Sequence, residues 1–368
     1  MPEINTVIVG GGPAGLAASA ALTRRGVRHM VLERGEAPGH TWTQLYDSLM
    51  LHTGRHLSSL PGLGFPRGTP LFPSRVLFAS YLRDYATKLA LPVRLGCEVS
   101  RVTRGDPGEG WWLETTSGHF SAKHLIFATG IVADPVIPTW PGQASFRGQI
   151  LHSVCYRRPD SFIGRRVLVV GVGNSGAEIA SELASAGADV TVSVRNGAHV
   201  VPLRLLGIPI QYWSLWIQKL PRALQGLVTG ATMKAMRLLR GPPVLPPSVR
   251  PLLERPPIIG FKLIEAIRAG RINVRGNVLA FTADGVQFAD GTREAFSHVI
   301  LATGFRAALG ALGPLVTRDA HGFARRERVA SLDHPRLYFI GHNYGTVGAL
   351  LNMGHDSHFL ADLIARSS

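Results

Sequence analysis

Residues 7–34, VIVGGGPAGLAASAALTRRGVRHMVLER, contain the pattern that decides the fold of the chain. A β-branched run breaks at three glycines and opens directly into an Ala- and Leu-rich segment of helical composition. A second apolar run follows and ends on Glu33. Glycines at 10, 12 and 15 give the spacing G-x-G-x-x-G, and the acidic residue follows roughly 20 residues later. This pattern predicts a strand, a glycine turn, a helix and a second strand that together bind a dinucleotide.

Each position of this pattern has a physical role. Gly10 permits the tight turn, Gly12 lets a pyrophosphate approach the backbone, and Gly15 lets the helix pack against the strand. The N-terminus of the helix faces the phosphates because its first N–H groups lack partners within the helix. Glu33 can accept hydrogen bonds from the ribose hydroxyls.

Composition sets the class of protein. With 368 residues, 45% hydrophobic and 17% charged, the chain is expected to form two domains of an ordinary globular protein. The first strand begins by Thr6, which leaves no room for an export signal. Cys97 and Cys155 form neither a disulfide framework nor a CxxC motif. We therefore expect a cytoplasmic location.

The formal net charge of +15 raises the question of a nucleic-acid partner. The basic residues are scattered rather than clustered, and no recognition-helix, zinc-knuckle or aromatic-interleaved basic motif is present. Two bound dinucleotides would also offset part of the charge. We expect no nucleic-acid partner. We also expect no metal site, because His342, His355 and His358 lack the spacing of metal ligands.

A second copy of the fingerprint lies in residues 167–196, VLVVGVGNSGAEIASELASAGADVTVSVRN, with glycines at Gly171, Gly173 and Gly176. The informative difference is Arg195, which stands where the first copy has its glutamate. A carboxylate suits a ribose 2′-hydroxyl and repels a 2′-phosphate, whereas an arginine binds the phosphate. The sequence predicts a dinucleotide of the FAD or NAD kind at the first site and NADP at the second. The alternative is that Arg195 stacks on an adenine or lies in solvent.

Other segments are predicted from their patterns. Residues 35–73 form a long irregular segment whose apolar side chains argue against disorder. Residues 74–89 have the spacing of an amphipathic helix with Ser74 as its N-cap. Residues 93–130 read as a β-meander, and both this segment and the strand near residue 300 end in Ala-Thr-Gly.

Residues 200–241 form an apolar, aromatic insert that also carries basic residues. Its uncharged run, residues 205–218, is shorter than the roughly 20 residues that a transmembrane helix needs. Three interpretations stay open: packing in the core and in a homodimer, lining of a hydrophobic substrate tunnel, and contact with a membrane surface.

A motif between the two fingerprints points to a family. Residues 146–156, FRGQILHSVCY, match F-x-G-x-x-x-H-x-x-x-(W/Y/F), which is typical of class B flavin-dependent monooxygenases. Residues 32–53 (LERGEAPGHTWTQLYDSLMLHT), 167–180 (VLVVGVGNSGAEIA) and 299–305 (VILATGF) add to the likeness. The chain resembles this family over nearly its whole length, and resembles most its YUCCA-type branch of indole-3-pyruvate monooxygenases.

The resemblance implies an α/β fold with two Rossmann-like dinucleotide-binding domains. The FAD domain would be discontinuous, with residues 1–156 and 300–368, and the NADP domain would be residues 157–299 with the insert at 200–241. By the same resemblance, Trp42 lies along the flavin, the loop at Val99 meets the adenine, and His152 lies between the domains and helps to seat the nicotinamide cofactor.

The resemblance further implies an enzyme that uses FAD, NADPH and O2 on a small aromatic or apolar substrate. One oxygen atom would be inserted through a flavin C4a-(hydro)peroxide, as in oxidative decarboxylation of an aromatic 2-oxo acid. N- or S-oxygenation, Baeyer–Villiger oxidation and a pyridine-nucleotide reductase without oxygenation remain alternatives. The implied cofactor contacts are Gly10, Gly12, Pro13, Ala14, Gly15, Glu33, Arg34, Thr41, Trp42, His52, Val99, Ala128, Thr129, Gly130, His152, Gly171, Gly173, Asn174, Ser175, Gly176, Arg195, Thr303, Gly304 and Gly341.

The candidate catalytic residue is His52. Many members of the family carry Y-x-S-x-x-x-N near the flavin edge, and Tyr46, Ser48 and His52 match this motif with histidine in place of asparagine, as in the YUCCA branch. An imidazole can hydrogen-bond the cofactors and, with a pKa near neutrality, can supply a proton. The alternative is a structural histidine in a loop.

Overall fold

The computed structural model describes residues 4–105, 110–249, 257–343 and 348–367. The chain divides into two compact units, of which the first is Met1–Asp134 with Phe305–Ser368 and the second is Pro135–Gly304. The expected boundaries after residues 156 and 299 therefore shift to 134 and 304. The reason is that the strand Gln149–His152, which the expected boundaries assign to the first domain, pairs with the strand His298–Leu301 in the sheet of the second unit.

The described residues form the following helices and strands. The helices are α1 (Pro13–Arg24), α2 (His40–Thr43), α3 (Arg55–Ser58), α4 (Arg75–Lys88), α5 (Asn174–Ser185), α6 (Ile210–Gln218), α7 (Arg222–Arg240), α8 (Lys262–Arg268) and α9 (Ala349–Ala365). The strands are β1 (Ile4–Val9), β2 (His29–Leu32), β3 (Val93–Arg94), β4 (Val99–Arg104), β5 (Trp111–Thr115), β6 (Gly118–Phe127), β7 (Gln149–His152), β8 (Arg166–Val170), β9 (Asp189–Ser193), β10 (Val200–Val201), β11 (Arg204–Leu205), β12 (Ile208–Pro209), β13 (Ile258–Ile259), β14 (Ile272–Arg275), β15 (Val278–Phe281), β16 (Gly285–Phe288), β17 (Arg293–Ala295), β18 (His298–Leu301), β19 (Arg326–Glu327), β20 (Ala330–Ser331) and β21 (Leu337–Phe339).

The first unit is built on a nine-stranded sheet. Its path is β19-β20-β21-β6-β1-β2-β3, with β21, β6, β1, β2 and β3 parallel, and β4 and β5 extending it as the predicted antiparallel meander. Alternate side chains of β1 face opposite ways: Ile8 packs with α1, α4 and α9, whereas Val7 and Val9 pack with Trp111 of the meander. The predicted helix at 74–89 is confirmed as α4, and the Ser74 hydroxyl accepts from the Leu77 N–H.

The second unit has a five-stranded parallel sheet in the order β14-β9-β8-β18-β7. The strands are nearly continuous apolar runs because α5 and α8 cover the sheet and a three-stranded antiparallel layer, β15-β16-β17, also packs against it. The turns at Asp284-Gly285 and Asp290-Gly291 join these three strands.

The two sheets share one topological feature that locates the glycine turns. In the first unit β1 lies between β2 and β6, and α1 leads from β1 to β2. In the second unit β8 lies between β9 and β18, and α5 leads from β8 to β9. The connections therefore diverge at the carboxyl ends of β1 and β8. A crevice outside such a switch point is where open α/β sheets bind ligands.

The insert at 200–241 lies at the surface of the second unit. It contains the hairpin β11-β12 and the helices α6 and α7, and its large apolar side chains Trp216, Leu224 and Leu227 are 52%, 47% and 70% exposed. These side chains therefore do not pack in the core of this chain. Within the part of the chain that the structure describes, no helix has the length and apolar character needed to span a bilayer.

A buried histidine makes the stability of the first unit sensitive to acid. His124 on β6 is fully buried and stacks on Tyr338 of β21, and burial, with Lys123 and Arg336, lowers its pKa to about 4. In the unfolded chain the pKa is near 6.5. The folded state therefore keeps the ring neutral while the unfolded state gains a proton as the pH falls below 6.5.

We expect this difference to cost about 2 kcal/mol of unfolding free energy at pH 5 relative to neutral pH. Denaturant titrations of the wild type and His124→Leu at both pH values measure the loss. The leucine variant lacks the ionisable ring. Between neutral pH and pH 5, its free energy of unfolding should therefore fall by about 2 kcal/mol less than that of the wild type. An equal fall in both proteins would contradict the assignment.

Candidate functional site

The first glycine turn lies at the switch point between β1 and β6. Gly10 has φ +108°, and a Cβ there would lie 2.6 Å from the carbonyl oxygen of Ala128, which follows directly after β6. A Cβ on Gly15 would overlap the carbonyl oxygen of Gly10, so the first turn of α1 rests directly on the turn. Gly12 differs from both, because a Cβ there would meet nothing within 4 Å.

The N-terminus of α1 is open towards that space. Gly12 is the N-cap, no side chain caps the helix, and Pro13 occupies the first helical position, where its missing N–H costs nothing. The remaining first-turn N–H groups lack side-chain acceptors and carry the positive end of the helix dipole. This geometry fits a pyrophosphate.

Glu33 is held beside the turn by backbone. Its carboxylate, 7% exposed, accepts from the N–H of Gly11 at 2.6 Å and from the N–H of Gly35 at 2.8 Å. Each oxygen accepts one of these bonds and keeps a second acceptor direction for a ribose hydroxyl. Sequence reasoning assigned the ribose role to Glu33 but missed the two donors. The run of three glycines in the turn was the available signal for one of them.

The second glycine turn repeats the first. Gly171 has φ +99°, and a Cβ there would lie 2.6 Å from the carbonyl oxygen of Ala302 at the end of β18. A Cβ on Gly176 would overlap the carbonyl oxygen of Gly171, whereas one on Gly173 would meet nothing within 4 Å. Gly173 is the uncapped N-cap of α5, and Ser175 lies in its first turn. The structure therefore gives both predicted turns the same backbone geometry.

Charge distinguishes the second turn from the first. Arg195 lies two residues after the end of β9 and is exposed, whereas Glu33 after β2 is buried and bonded. The side chain of Asn174 is bonded within the second unit. Its side chain donates to the Pro257 carbonyl at 3.1 Å and accepts from the Ile259 N–H at 2.8 Å, so it fixes β13 beside α5.

The two Ala-Thr-Gly endings also behave alike. The Thr129 hydroxyl donates to the carbonyl of Ala308 at 2.7 Å inside the first unit, and the Thr303 hydroxyl donates to the carbonyl of Val136 at 2.5 Å inside the second. Both glycines that follow, Gly130 and Gly304, have positive φ. Each threonine therefore fixes the chain where it leaves the sheet beside a glycine turn.

His152 bonds to the backbone of the second unit through both ring nitrogens. The Val154 N–H donates to Nδ1 at 3.2 Å, so Nε2 carries the proton and donates to the Gly304 carbonyl at 3.2 Å. Burial lowers the pKa of the ring, and the Gly304 carbonyl opposes this only in part. His152 is therefore a neutral cross-link between the end of β7 and the Ala-Thr-Gly turn at 302–304.

The rest of the F-x-G-x-x-x-H-x-x-x-Y motif has packing roles. Phe146 contacts Phe281 edge to face at 5.4 Å, and a Cβ on Gly148 would lie 2.5 Å from the Ser297 carbonyl oxygen. The buried Tyr156 donates from its hydroxyl to Glu182 of α5 at 2.9 Å, and burial and this carboxylate raise the pKa of the phenol. The motif therefore fixes β7 at the sheet edge and ties it to the helix that begins at the second glycine turn.

The segment after Glu33 is brought back to the first glycine turn. The Gly39 N–H donates to the Gly11 carbonyl at 2.8 Å, which places α2 and with it Thr41 beside the turn. Trp42 packs edge to face on Phe78 of α4 at 4.5 Å. On the other side of the turn, a Cβ on Gly341 would lie 2.8 Å from the Cβ of Ala14.

Three other predicted residues lie further out. Val99 was expected in a loop but is in β4, paired with Thr115, because the meander begins there. Arg34 is exposed, with its guanidinium 4.0 Å from Glu98. His52 is partly buried in the irregular segment, and the neighbouring Thr53 lies against Gly348 at the start of α9. The described residues contain no cluster of histidine, cysteine or carboxylate side chains that could hold a metal ion.

The different surroundings of the glycines can be tested by substitution. We expect Gly15→Ala to lower the free energy of unfolding by about 3 kcal/mol, because the added Cβ overlaps the Gly10 carbonyl oxygen. Gly12→Ala, which adds a Cβ in open space, should lower it by less than about 1 kcal/mol. Denaturant unfolding of the two cofactor-free variants makes the comparison. Equal losses would show that the two positions are packed alike.

Known proteins share both the sequence and the fold. The sequence profile of the family described as pyridine nucleotide-disulphide oxidoreductase matches residues 7–201. Indole-3-pyruvate monooxygenase YUCCA1 of Oryza sativa subsp. japonica is 34% identical over 96% of this chain and 91% of its own length. Probable indole-3-pyruvate monooxygenase YUCCA4 of Arabidopsis thaliana is 34% identical over 82% of this chain and 75% of its own.

The fold is also similar to that of a flavin monooxygenase. A double mutant of the flavin monooxygenase from Stenotrophomonas maltophilia is similar with a TM-score of 0.80 and 27% identity, covering 100% of this chain and 99% of its own. The two glycine turns at the switch points of two Rossmann-type sheets agree with this likeness. The chain therefore belongs to the flavin-dependent monooxygenases, a family of FAD- and NADPH-dependent oxidoreductases, and is similar to its YUCCA-type members.

Proposed function

We propose that this chain catalyses the NADPH-dependent oxidative decarboxylation of an aromatic 2-oxo acid of the indole-3-pyruvate kind. The names of the relatives that are 34% identical over most of the chain support this choice of substrate class. In the reaction one atom of O2 enters the new carboxylate and the other leaves as water. The original carboxylate leaves as CO2, and NADPH supplies two electrons.

The observation that carries the proposal is the pair of matching glycine turns with opposite charges beside them. In the first unit, the open N-terminus of α1 at Gly12 and the buried Glu33 carboxylate fit the pyrophosphate and adenosine ribose of FAD. In the second, the open N-terminus of α5 at Gly173 and the exposed Arg195 fit the pyrophosphate and 2′-phosphate of NADPH.

The chemistry supplied by bound FAD is acceptance of two electrons from NADPH and activation of O2. The residues of the chain bind, orient and shield. Thr129 and Thr303 fix the turns that border the two dinucleotide sites, and the neutral His152 fixes the turn at Gly304. In this proposal the His52 imidazole holds or gives up a proton beside the flavin, with the buried side chains of Tyr46 and Leu51 limiting the access of water to it.

An isotope experiment tests the function. The enzyme loaded with FAD is supplied with NADPH, ¹⁸O2 and indole-3-pyruvate, and the acid that is one carbon shorter is analysed by mass spectrometry. We expect one ¹⁸O atom in its carboxylate and equal amounts of NADPH consumed and CO2 released. NADPH oxidation that yields only hydrogen peroxide with 2-oxo acids, amines, sulfides and ketones would favour a reductase. Labelled product from one of the other substrates would assign N- or S-oxygenation or Baeyer–Villiger oxidation.

The choice of nicotinamide cofactor can be tested at Arg195. We expect Arg195→Gln to raise the KM for NADPH about tenfold or more, because it removes a charge-assisted bond to the 2′-phosphate, and to leave the KM for NADH unchanged. Flavin reduction measured anaerobically with each cofactor gives both values. The matched control is Arg271→Gln. Arg271 is also exposed, but it lies just before the amino end of β14, at the opposite end of the strands of the same sheet. Equal effects on NADPH and NADH would place Arg195 on the adenine or in solvent.

The role of His52 can be separated from folding. We expect His52→Ala to uncouple the reaction, so that at least about half of the NADPH consumed yields hydrogen peroxide instead of product. The ratio of peroxide to product measures coupling directly. His56→Ala, an exposed histidine one turn further along in α3, is the matched control and should stay coupled. Unchanged coupling in His52→Ala would show that the residue is structural.

A further inference from the structure

Net positive charge is high in the sequence around the insert because acidic residues are missing there. Residues 190–253 contain no aspartate or glutamate, yet they contain eight basic residues of a chain whose net charge is +15. Those basic residues are Arg195, Arg204, Lys219, Arg222, Lys234, Arg237, Arg240 and Arg250. This stretch of the sequence therefore carries positive charge without the carboxylates that normally accompany it.

A strained hairpin exposes a leucine at its tip. In β11-β12, Leu205 pairs with Ile208, which leaves a two-residue loop of Leu206 and Gly207, both with positive φ (51° and 78°). Such turns favour asparagine or aspartate followed by glycine, because a branched apolar side chain resists this conformation. Leu206 nevertheless occupies the position and is 83% exposed, next in chain to the strand that begins with the exposed Arg204.

The helices after the hairpin continue the apolar surface. Leu224 and Leu227 are three residues apart in α7 and so share one helix face, where they are 47% and 70% exposed. Leu220, in the connection just before α7, is 37% exposed. Trp216 of α6 is 52% exposed. Lys219 and Arg222, which lie in the connection between the two helices and at the start of α7, are exposed too.

The partner must therefore accept apolar side chains and positive charges together. A second copy of this chain would bring the exposed basic side chains of two inserts, such as Lys219 and Arg222, close to each other, which is unfavourable. A nucleic acid would use the charges but not the leucine face. An anionic bilayer accepts both, since its headgroups attract lysine and arginine, and leucine and tryptophan enter the boundary between headgroups and acyl chains.

We propose that the tip of the β11-β12 hairpin together with α6 and α7, the insert surface, is a peripheral binding site for a bilayer that contains anionic lipid. Leu206, Trp216, Leu224 and Leu227 enter the interface, and Lys219 and Arg222 contact the headgroups. The FAD-loaded enzyme binds reversibly to the membrane surface without a segment that crosses it. The bilayer contact is separate from the two glycine turns.

Sedimentation with vesicles tests the site. The probes are vesicles of phosphatidylcholine alone and of phosphatidylcholine mixed with phosphatidylglycerol, added to the FAD-loaded full chain. We expect binding at least about tenfold tighter to the mixed vesicles, weakening as salt is added. Binding to neither kind of vesicle, or equal binding to both with no salt dependence, would overturn the proposal.

Matched variants locate the contact. Changing Leu206, Leu224 and Leu227 together to serine should weaken vesicle binding at least about tenfold, whereas Leu279→Ser with Leu332→Ser, two exposed leucines elsewhere, should not. Lys219→Glu with Arg222→Glu should weaken it similarly, and Arg83→Gln with Arg325→Gln, also exposed, should not. Flavin content and the rate of reduction by NADPH show that each variant is folded.

Two other outcomes would reject the lipid site. A dimer in light scattering that the triple serine variant abolishes, with no binding to vesicles, would make the insert surface an interface between copies. Binding to duplex DNA that competes with vesicles and does not depend on the three leucines would assign the surface to nucleic acid.

Discussion

The contact between a helix and its own preceding turn is the constraint on which both units depend. In each copy of the fingerprint, the third glycine lets the first turn of the helix contact the carbonyl oxygen of the first glycine. The first glycine itself contacts the residue that follows a neighbouring strand of the sheet, β6 in the first unit and β18 in the second. Because a Cβ at either position would collide with backbone, no side-chain rearrangement could relieve the overlap. The middle glycine is the exception, since it faces open space, and this is where a ligand rather than the protein sets the requirement.

Two nearly identical backbones acquire different specificity through the residue that follows the second strand. Glu33 is buried and accepts two backbone N–H bonds, which hold its carboxylate in a fixed position. Arg195 is exposed and presents a planar donor group to solvent. A fixed carboxylate can accept from ribose hydroxyls and an exposed guanidinium can bind a phosphate, which is the basis of the proposed difference between the two sites.

The motif that carries the family resemblance has packing roles inside the second unit. Gly148, His152 and Tyr156 each bond to or pack against backbone and helix inside the second unit, and Tyr156 reaches α5, the helix that starts at the second glycine turn. The motif has a recognisable spacing because several of its residues, on and next to one strand, each need a particular packing partner. Its residues fix β7 at the edge of the sheet and tie it to α5.

The sequence alone determined the two glycine turns, the strands and helices around them, the difference in charge between Glu33 and Arg195, and the family, because these depend on local spacing along a strand, a turn and a helix. It could not determine the unit boundaries, since the pairing of Gln149–His152 with His298–Leu301 joins residues far apart in the chain. For the same reason only the tertiary structure showed the backbone partners of the Asn174 and His152 side chains, and that Val99 lies in a strand. Exposure of the leucines in the insert also depended on what the rest of the chain packs against, which no local pattern encodes.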